Sequence, residues 1–224
     1  MKNALIIFVK TPIPGLVKTR LQPQLTENQS AELYCSFLMD LDNKFKTIED
    51  FHTWYAVSPE NFNEDILAAF VRMDKYFLQD GQDLGERMQN AFQTLFSRGY
   101  ERLVLIGSDI PSITRDLISQ ALQGLQTNDV ILGPSKDGGY YLIALSHPQA
   151  FLFENLPWSS SDVFKKTIEL LNKKGLTYKI LPELEDIDTY KELISFYEEL
   201  KDKDKSDPDF PKHSWKILNK NFAP

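Results

Sequence analysis

Cysteine is almost absent: Cys35 is the only one in 224 residues. That excludes an internal disulfide and a cysteine-built metal site, and it fits a reducing cytoplasm. Cys35 falls within a helical pattern, where it reads as core filler and not as a nucleophile. Long apolar runs are missing too. The opening run, Ala4 to Val9, is too short for a signal peptide, and no stretch reaches the length of a membrane span. Nor is there an excess of basic charge, since the net charge is -7 at pH 7. General nucleic-acid affinity needs a basic face and is therefore not expected. An anionic small molecule must instead be met by a local cluster of cations. These absences describe a soluble cytoplasmic protein without a membrane span or a nucleic-acid partner.

What the chain does have is core-building material. Hydrophobic residues make up 42% of it, with 15 Phe and 9 Tyr, enough for one large core and too much for bulk disorder. Apolar runs at residues 4–9, 51–57, 75–79, 103–106, 129–133 and 177–181 read as strands alternating with stretches of helical periodicity. That alternation marks an α/β fold with a mainly parallel sheet. Thr26 reads as the cap of a helix whose apolar stripe runs through Leu33, Tyr34, Phe37 and Leu41. Residues 62–72, 115–125, 151–153, 163–171 and 189–200 also read as helical. Trp158 reads as a core anchor, and residues 159–162 offer helix caps. Residues 1–200 are expected to form a single domain. Residues 201–224 read as a charged connector and a tail whose Trp215 and Phe222 are available to pack back.

The chain is organised around residues 103–114, where an apolar run stops at a single carboxylate. Gly107 and Ser108 carry Asp109 to the carboxyl end of a doubly buried strand, and Pro111 prevents that strand from continuing. Open α/β sheets bind ligands at this edge. Asp109 is there either a turn or cap residue or the holder of a hard cation that bridges phosphate oxygens. Residues 10–25 contain Lys10, Lys18 and Arg20 and no acid. Prolines hold this loop open, and Gly15 lets backbone approach a ligand. The loop is either solvated or an anion cradle, with Arg20 gripping phosphate in bidentate fashion and Lys18 acting as a point charge.

Three further stretches leave two readings open. Gln79 offers an amide to a nucleobase edge, with Gly81 and Gly85 letting a flat base lie against the backbone. Equally, residues 79–88 are an ordinary turn before an amphipathic helix, with Arg87 solvated. Asp137-Gly138-Gly139 is a hairpin turn, or Asp137 joins Lys136 on the rim near Asp109 as an acceptor-site group or general base. Asp188 is a helix cap or a metal ligand.

Taken together, four stretches resemble the GT-A superfamily and, within it, the DUF2064-like bacterial family often called radical-SAM/selenodomain-associated transferase 1. They are the Phe-Val-Lys-Thr-Pro-Ile-Pro-Gly-Leu-Val-Lys-Thr-Arg-Leu opening, the Gly-Ser-Asp-Ile-Pro centre, Leu-Gly-Pro-Ser-Lys-Asp-Gly-Gly-Tyr-Tyr-Leu-Ile, and the closing Asp-Ile-Asp-Thr. Their combination is far more specific than any one piece. The Lys-Thr-Arg-Leu opening is also similar to that of phospholactate guanylyltransferases, and Gln79 with Leu84-Gly85 looks like the base-reading loop of sugar-nucleotide pyrophosphorylases.

The resemblance implies a Rossmann-like mixed sheet with helices on both faces, binding a nucleotide sugar or a nucleoside triphosphate. It also implies Mg²⁺ or Mn²⁺ at Asp109, with Asp188 as a second ligand. Where the superfamily usually shows Asp-x-Asp, this chain has Gly107-Ser108-Asp109, so water or a distant residue must complete the metal's shell. The expected activity is metal-assisted transfer from a nucleotide-activated donor to an unidentified small-molecule acceptor, with glycosyl transfer foremost. Lys18 and Arg20 would neutralise the departing diphosphate, and Asp137 would position or deprotonate the acceptor. The alternatives are a nucleotidyltransferase that joins an NTP to a phosphorylated acceptor and releases pyrophosphate, and a nucleotide-binding partner protein without catalysis.

Overall fold

A computed structural model describes residues 2–158 and 160–222, with the side chain of Phe222 outside that description. Ser159, one of the expected caps, and the Phe222 side chain, one of the two expected tail anchors, therefore lie outside the described residues. Seven strands, β1 (Asn3–Val9), β2 (His52–Val57), β3 (Tyr76–Leu78), β4 (Arg102–Gly107), β5 (Val130–Pro134), β6 (Tyr140–Leu145) and β7 (Tyr178–Ile180), form one sheet in the order β3-β2-β1-β4-β6-β5-β7. All neighbours pair in parallel except β6, which runs antiparallel to both β4 and β5. The Asp-Gly-Gly stretch closes the β5–β6 hairpin, so the sheet is mixed and mainly parallel.

The central strands read as unbroken apolar runs because both of their faces are covered. Leu5, Ile7 and Val9 of β1, with Val104 and Ile106 of β4, point into one core. Ala4 and Ile6, with Leu103 and Leu105, point into a second core on the opposite face. The first core is roofed by α1 (Glu27–Phe45), α4 (Arg115–Gly124) and α6 (Tyr190–Asp202), and the second by α3 (Leu84–Ser97) and α5 (Val163–Lys174). Thr26 caps α1 through a capping box with Gln29. The helix expected over 62–72 shrinks to α2 (Glu64–Ala68), capped by Asn63. Residues 151–153 make only a 3-10 turn at Ala150–Leu152.

The C-terminal segment is more than a solvated tail. A last helix, α7 (Lys212–Phe222), lies along α1, and Trp215 stacks on Tyr197 with ring centroids 5.6 Å apart. The buried Asp40 carboxylate anchors it, accepting hydrogen bonds from His213 N (2.8 Å), Ser214 N (2.8 Å) and Ser214 Oγ (2.6 Å). Asp209 in the connector accepts from the Arg115 backbone N–H, and its carboxylate pairs with the Arg115 guanidinium. One helical turn from Asp40, Lys44 is also buried and donates to the carbonyls of Pro111 and Ile113. It thereby fastens the loop that follows Asp109.

Two outcomes are expected from these contacts. Asp40→Ala strips three bonds from the first turn of α7 and lowers stability by roughly 2 kcal/mol, the upper range for a lost helix cap, read as a fall in the urea midpoint. Burial pushes Lys44 down from 10.5 to about 8, against the pull of Asp209 and Asp40. Between those values the unfolded chain holds a proton that the folded chain does not, so stability rises with pH across that window. Lys44→Met removes this rise, which a series of urea midpoints from pH 8 upward measures.

Candidate active site

A cleft of about 620 Å³ opens at the carboxyl ends of β1 and β4, between the 10–20 loop and the start of α3. Lys10, Lys18, Arg20, Gln79, Asp109 and Asp188, separated by up to 178 positions along the chain, all line it. Asp109 reaches it because β4 ends at Gly107. Asp188 reaches it because the segment after β7 continues beside the end of β5, with Ser135 bridging Leu184, and then crosses to β4. The crossing is fixed where Ile187 N donates to Asp109 O at 3.0 Å.

Lys18 is the centre of the cleft. Its Nζ stands 2.6 Å from Asp109 Oδ1, 3.1 Å from Asp188 Oδ1 and 2.7 Å from Ile187 O, and its side chain is only 4% exposed. The ammonium donates hydrogen bonds to Ile187 O and Asp188 Oδ1, and Asp109 adds a close ion pair. The Phe37 ring lies beneath it, 5.5 Å from Nζ to the centroid, a distance at which a cation is attracted to an aromatic face. Reaching this position requires a left-handed backbone, φ 49° and ψ 39°, uncommon for a residue with a Cβ. Arg20 Nη1 takes the other oxygen of Asp188 at 3.2 Å while its side chain stays exposed. Lys10 is exposed at the rim and makes no ion pair among the described residues.

Behind this cluster, Tyr34 on α1 accepts from Lys10 N (3.0 Å) and shares a 2.8 Å hydrogen bond with Ser108 Oγ. Burial, followed by the nearby Asp109 charge, raises its phenol well above the usual range. Gln79 donates Nε2 to Ala56 O at 2.8 Å, which orients its amide at the other end of the cleft. There Arg87 is held by Glu60, with Nη2 to Oε1 at 2.5 Å, and by the Gly81 carbonyl. These bonds, with that from Ser58, bring the Glu60 carboxyl down to about 2.

Several expected roles change. Thr189, not Asp188, caps α6, through a capping box with Glu192. Asp188 is thereby released to Lys18 and Arg20. Asp109 is likewise no helix cap, since Thr114 caps α4. Lys18 is engaged by carboxylates and does not stand as an open point charge. Gly85 is buried and does not face the cleft: a Cβ there would lie 2.1 Å from Trp158 Nε1 and 2.5 Å from Phe153 O. Gly15 lies outside the cleft lining, and its φ of +83° serves the turn beside Glu27. Asp137 also lies outside that lining and is spent on its own hairpin, its Oδ1 accepting from the Ser135 hydroxyl and from Gly139 N. Arg87 proves to be a cleft residue and not a solvated one.

In the sequence Asp186 reads as one acid among several, with no local signal to single it out. Burial, reinforced by Asp137, Asp188 and Asp109, pushes it up to about 7, and its buried Oδ1 has no hydrogen-bond partner among the described residues. Among those residues no three His, Cys, Asp or Glu side chains converge closely enough to form a complete metal site.

A single mixed sheet covered by helices on both faces, with a charged cleft at its carboxyl edge, defines an α/β transferase of the nucleotide-diphospho-sugar transferase fold. The family described as "Uncharacterized protein conserved in bacteria (DUF2064)" matches residues 44–160, and the chain belongs to it. It is similar to the crystal structure of a candidate nucleotide-diphospho-sugar transferase from Desulfovibrio desulfuricans G20, with 34% identity and a TM-score of 0.87 over 98% of this chain and 95% of that one. It is 25% identical to a 2-phospho-L-lactate guanylyltransferase from Methanocaldococcus sp. (strain FS406-22), over 78% of this chain and 71% of that protein. The manganese complex of Rv0371C from Mycobacterium tuberculosis H37Rv shares the fold at 14% identity and a TM-score of 0.52, over 88% and 97% of the two chains.

The placement of Gly85 carries a prediction of its own. Gly85→Ala overpacks the Trp158 contact and costs about 1–3 kcal/mol, read as a lowered melting temperature. Nucleotide affinity of the folded variant is expected to stay at the wild-type value. A fall in affinity would put a base against Gly85 after all.

Proposed function

We propose that the cleft binds a nucleoside triphosphate and transfers its nucleotidyl group to a phosphorylated small molecule. The observation that carries this reading is the cleft's charge arrangement: one carboxylate at the end of β4 where a pair is usual, with Lys10, Lys18 and Arg20 gathered on the facing loop. An acceptor phosphate oxygen attacks the α-phosphorus, the bond to the β-phosphate oxygen breaks, and pyrophosphate leaves. Such displacement depends mostly on positioning and electrostatics, which cations around a triphosphate supply. A phosphate acceptor is already anionic near neutral pH and needs no general base, in keeping with an Asp137 that is tied into its turn. The guanylyltransferase relative supports the same chemistry. Gln79, held through its Nε2, has its amide oxygen left to meet the base.

The donor set suits a hard divalent cation. Asp109 and Asp188 would supply its oxygen ligands. Mg²⁺ or Mn²⁺ on Asp109 and Asp188 would have water complete its shell, and when bound it would neutralise charge on the phosphates. Glycosyl transfer from a nucleotide sugar is the second reading, favoured by the Desulfovibrio desulfuricans relative.

Thermal-shift measurements with NTPs, NDPs and nucleotide sugars, each with Mg²⁺, Mn²⁺ or EDTA, separate the two readings. A ligand at ~100 times its dissociation constant stabilises the fold by roughly 2.7 kcal/mol. The expected result is metal-dependent stabilisation by triphosphates, with pyrophosphate released once a phosphorylated acceptor is added. Stabilisation by nucleotide sugars alone would transfer the assignment to glycosyl transfer. Asp109→Asn is expected to lower turnover about 10²–10³-fold, the scale of losing one electrostatic partner of the transition state.

A further inference from the structure

Both oxygens of Asp188 are already occupied by cations, Oδ1 by Lys18 and Oδ2 by Arg20, and one oxygen of Asp109 is taken by Lys18. The Lys18 ammonium thus stands between the same two carboxylates that a divalent cation would bridge. It is withdrawn from solvent, hydrogen-bonded to Ile187 O and Asp188, ion-paired with Asp109, and supported from below by Phe37. A free divalent cation approaching this place meets an arrangement whose charge is already offset. It must displace an ammonium whose own side chain is only 4% exposed, and taking one partner away from a buried charge is costly.

A polyphosphate changes that balance. It gives Lys18 and Arg20 new anions to bind, and it brings oxygen ligands of its own for the metal. The Lys18 stem is long and flexible, and Lys10 on the exposed rim can take the first phosphate contact.

Resting on the nucleotide reading above, we propose that Lys18 is the site's resident cation, exchanged for a divalent metal only when a polyphosphate arrives. Metal and nucleotide then enter together, and Lys18 passes from the carboxylates to the phosphates. With a single acid at the end of β4, the ammonium of Lys18 is shared between Asp109 and Asp188 and joins the segments that carry them.

The test is a titration of Mn²⁺ followed by electron paramagnetic resonance, which reads free and bound ion without needing turnover. Wild type alone is expected to bind Mn²⁺ weakly, and inorganic triphosphate, or whichever NTP stabilises the protein, is expected to tighten it. Lys18→Met removes the competitor and is expected to raise the affinity of the nucleotide-free protein for Mn²⁺ by about 5- to 150-fold, the usual range for coupling between two sites. Its affinity for triphosphate is expected to fall. Arg20→Gln, at an exposed position, frees one Asp188 oxygen with little risk to folding and is expected to act in the same direction more weakly. Unchanged or weaker Mn²⁺ binding in both variants would overturn the proposal, as would tight Mn²⁺ binding by the nucleotide-free wild type. Failure of every nucleotide to bind wild type would instead defeat the nucleotide reading. The Mn²⁺ affinities of the variants without nucleotide would still test the role of Lys18.

Discussion

The cleft depends on one electrostatic knot, the contact of Lys18 with Asp109, Asp188 and the Ile187 carbonyl. Three segments meet there: the loop after β1, the turn after β4, and the strand-like segment after β7. Each has its own means of reaching the knot. The first adopts a left-handed residue, the second ends a strand at Gly107, and the third crosses the sheet edge and bonds to Asp109 O. Loss of the central cation would leave Asp109 and Asp188 without their shared partner, and Asp186 already feels both of their charges.

The sheet explains why the knot can be held so tightly. Its central strands are buried on both faces, so strand ends move little, and residues at those ends inherit that rigidity. From behind, α1 contributes twice. Tyr34 ties the start of the basic loop to Ser108, and Lys44 ties the loop after Asp109 to the helix. The C-terminal helix α7 reaches the same helix through Asp40 and Ser214, so the end of the chain braces the element that braces the cleft. The two ends of the cleft differ in kind: carboxylates and cations gather near Asp109, while Gln79, Ser58 and the Glu60–Arg87 pair offer oriented hydrogen bonds. A polyphosphate and a nucleobase make those two kinds of demand.

The fold was legible in the amino-acid sequence because its signals are local. Unbroken apolar runs such as Leu103 to Ile106 specify strands buried on both faces, and capping residues such as Thr26 fix helix starts. The arrival of Lys10, Lys18, Arg20, Gln79, Asp109 and Asp188 at one edge also followed, since all of them sit where strands end or in the segments that follow. Which of them would touch was a different matter. Local competition decided that Thr189 and not Asp188 caps α6, and a Cβ-free contact with Trp158 decided that Gly85 turns inward. Glu60, the ion-pair partner of Arg87, lies 27 positions away and the carbonyls that hold Lys44 67 or more, beyond any periodicity.

By itself, then, the sequence determined the mixed α/β sheet, the burial of its central strands, and the set of polar residues delivered to its carboxyl edge, because hydrophobic period and turn chemistry act over short distances. Tertiary structure alone decided that Lys18 stands between two carboxylates, that Asp137 is spent on its hairpin, and that Asp186 is left with a buried oxygen unpaired. These outcomes depend on distances of a few ångströms between segments far apart in the chain, and electrostatic interactions of that kind are set by geometry and not by composition.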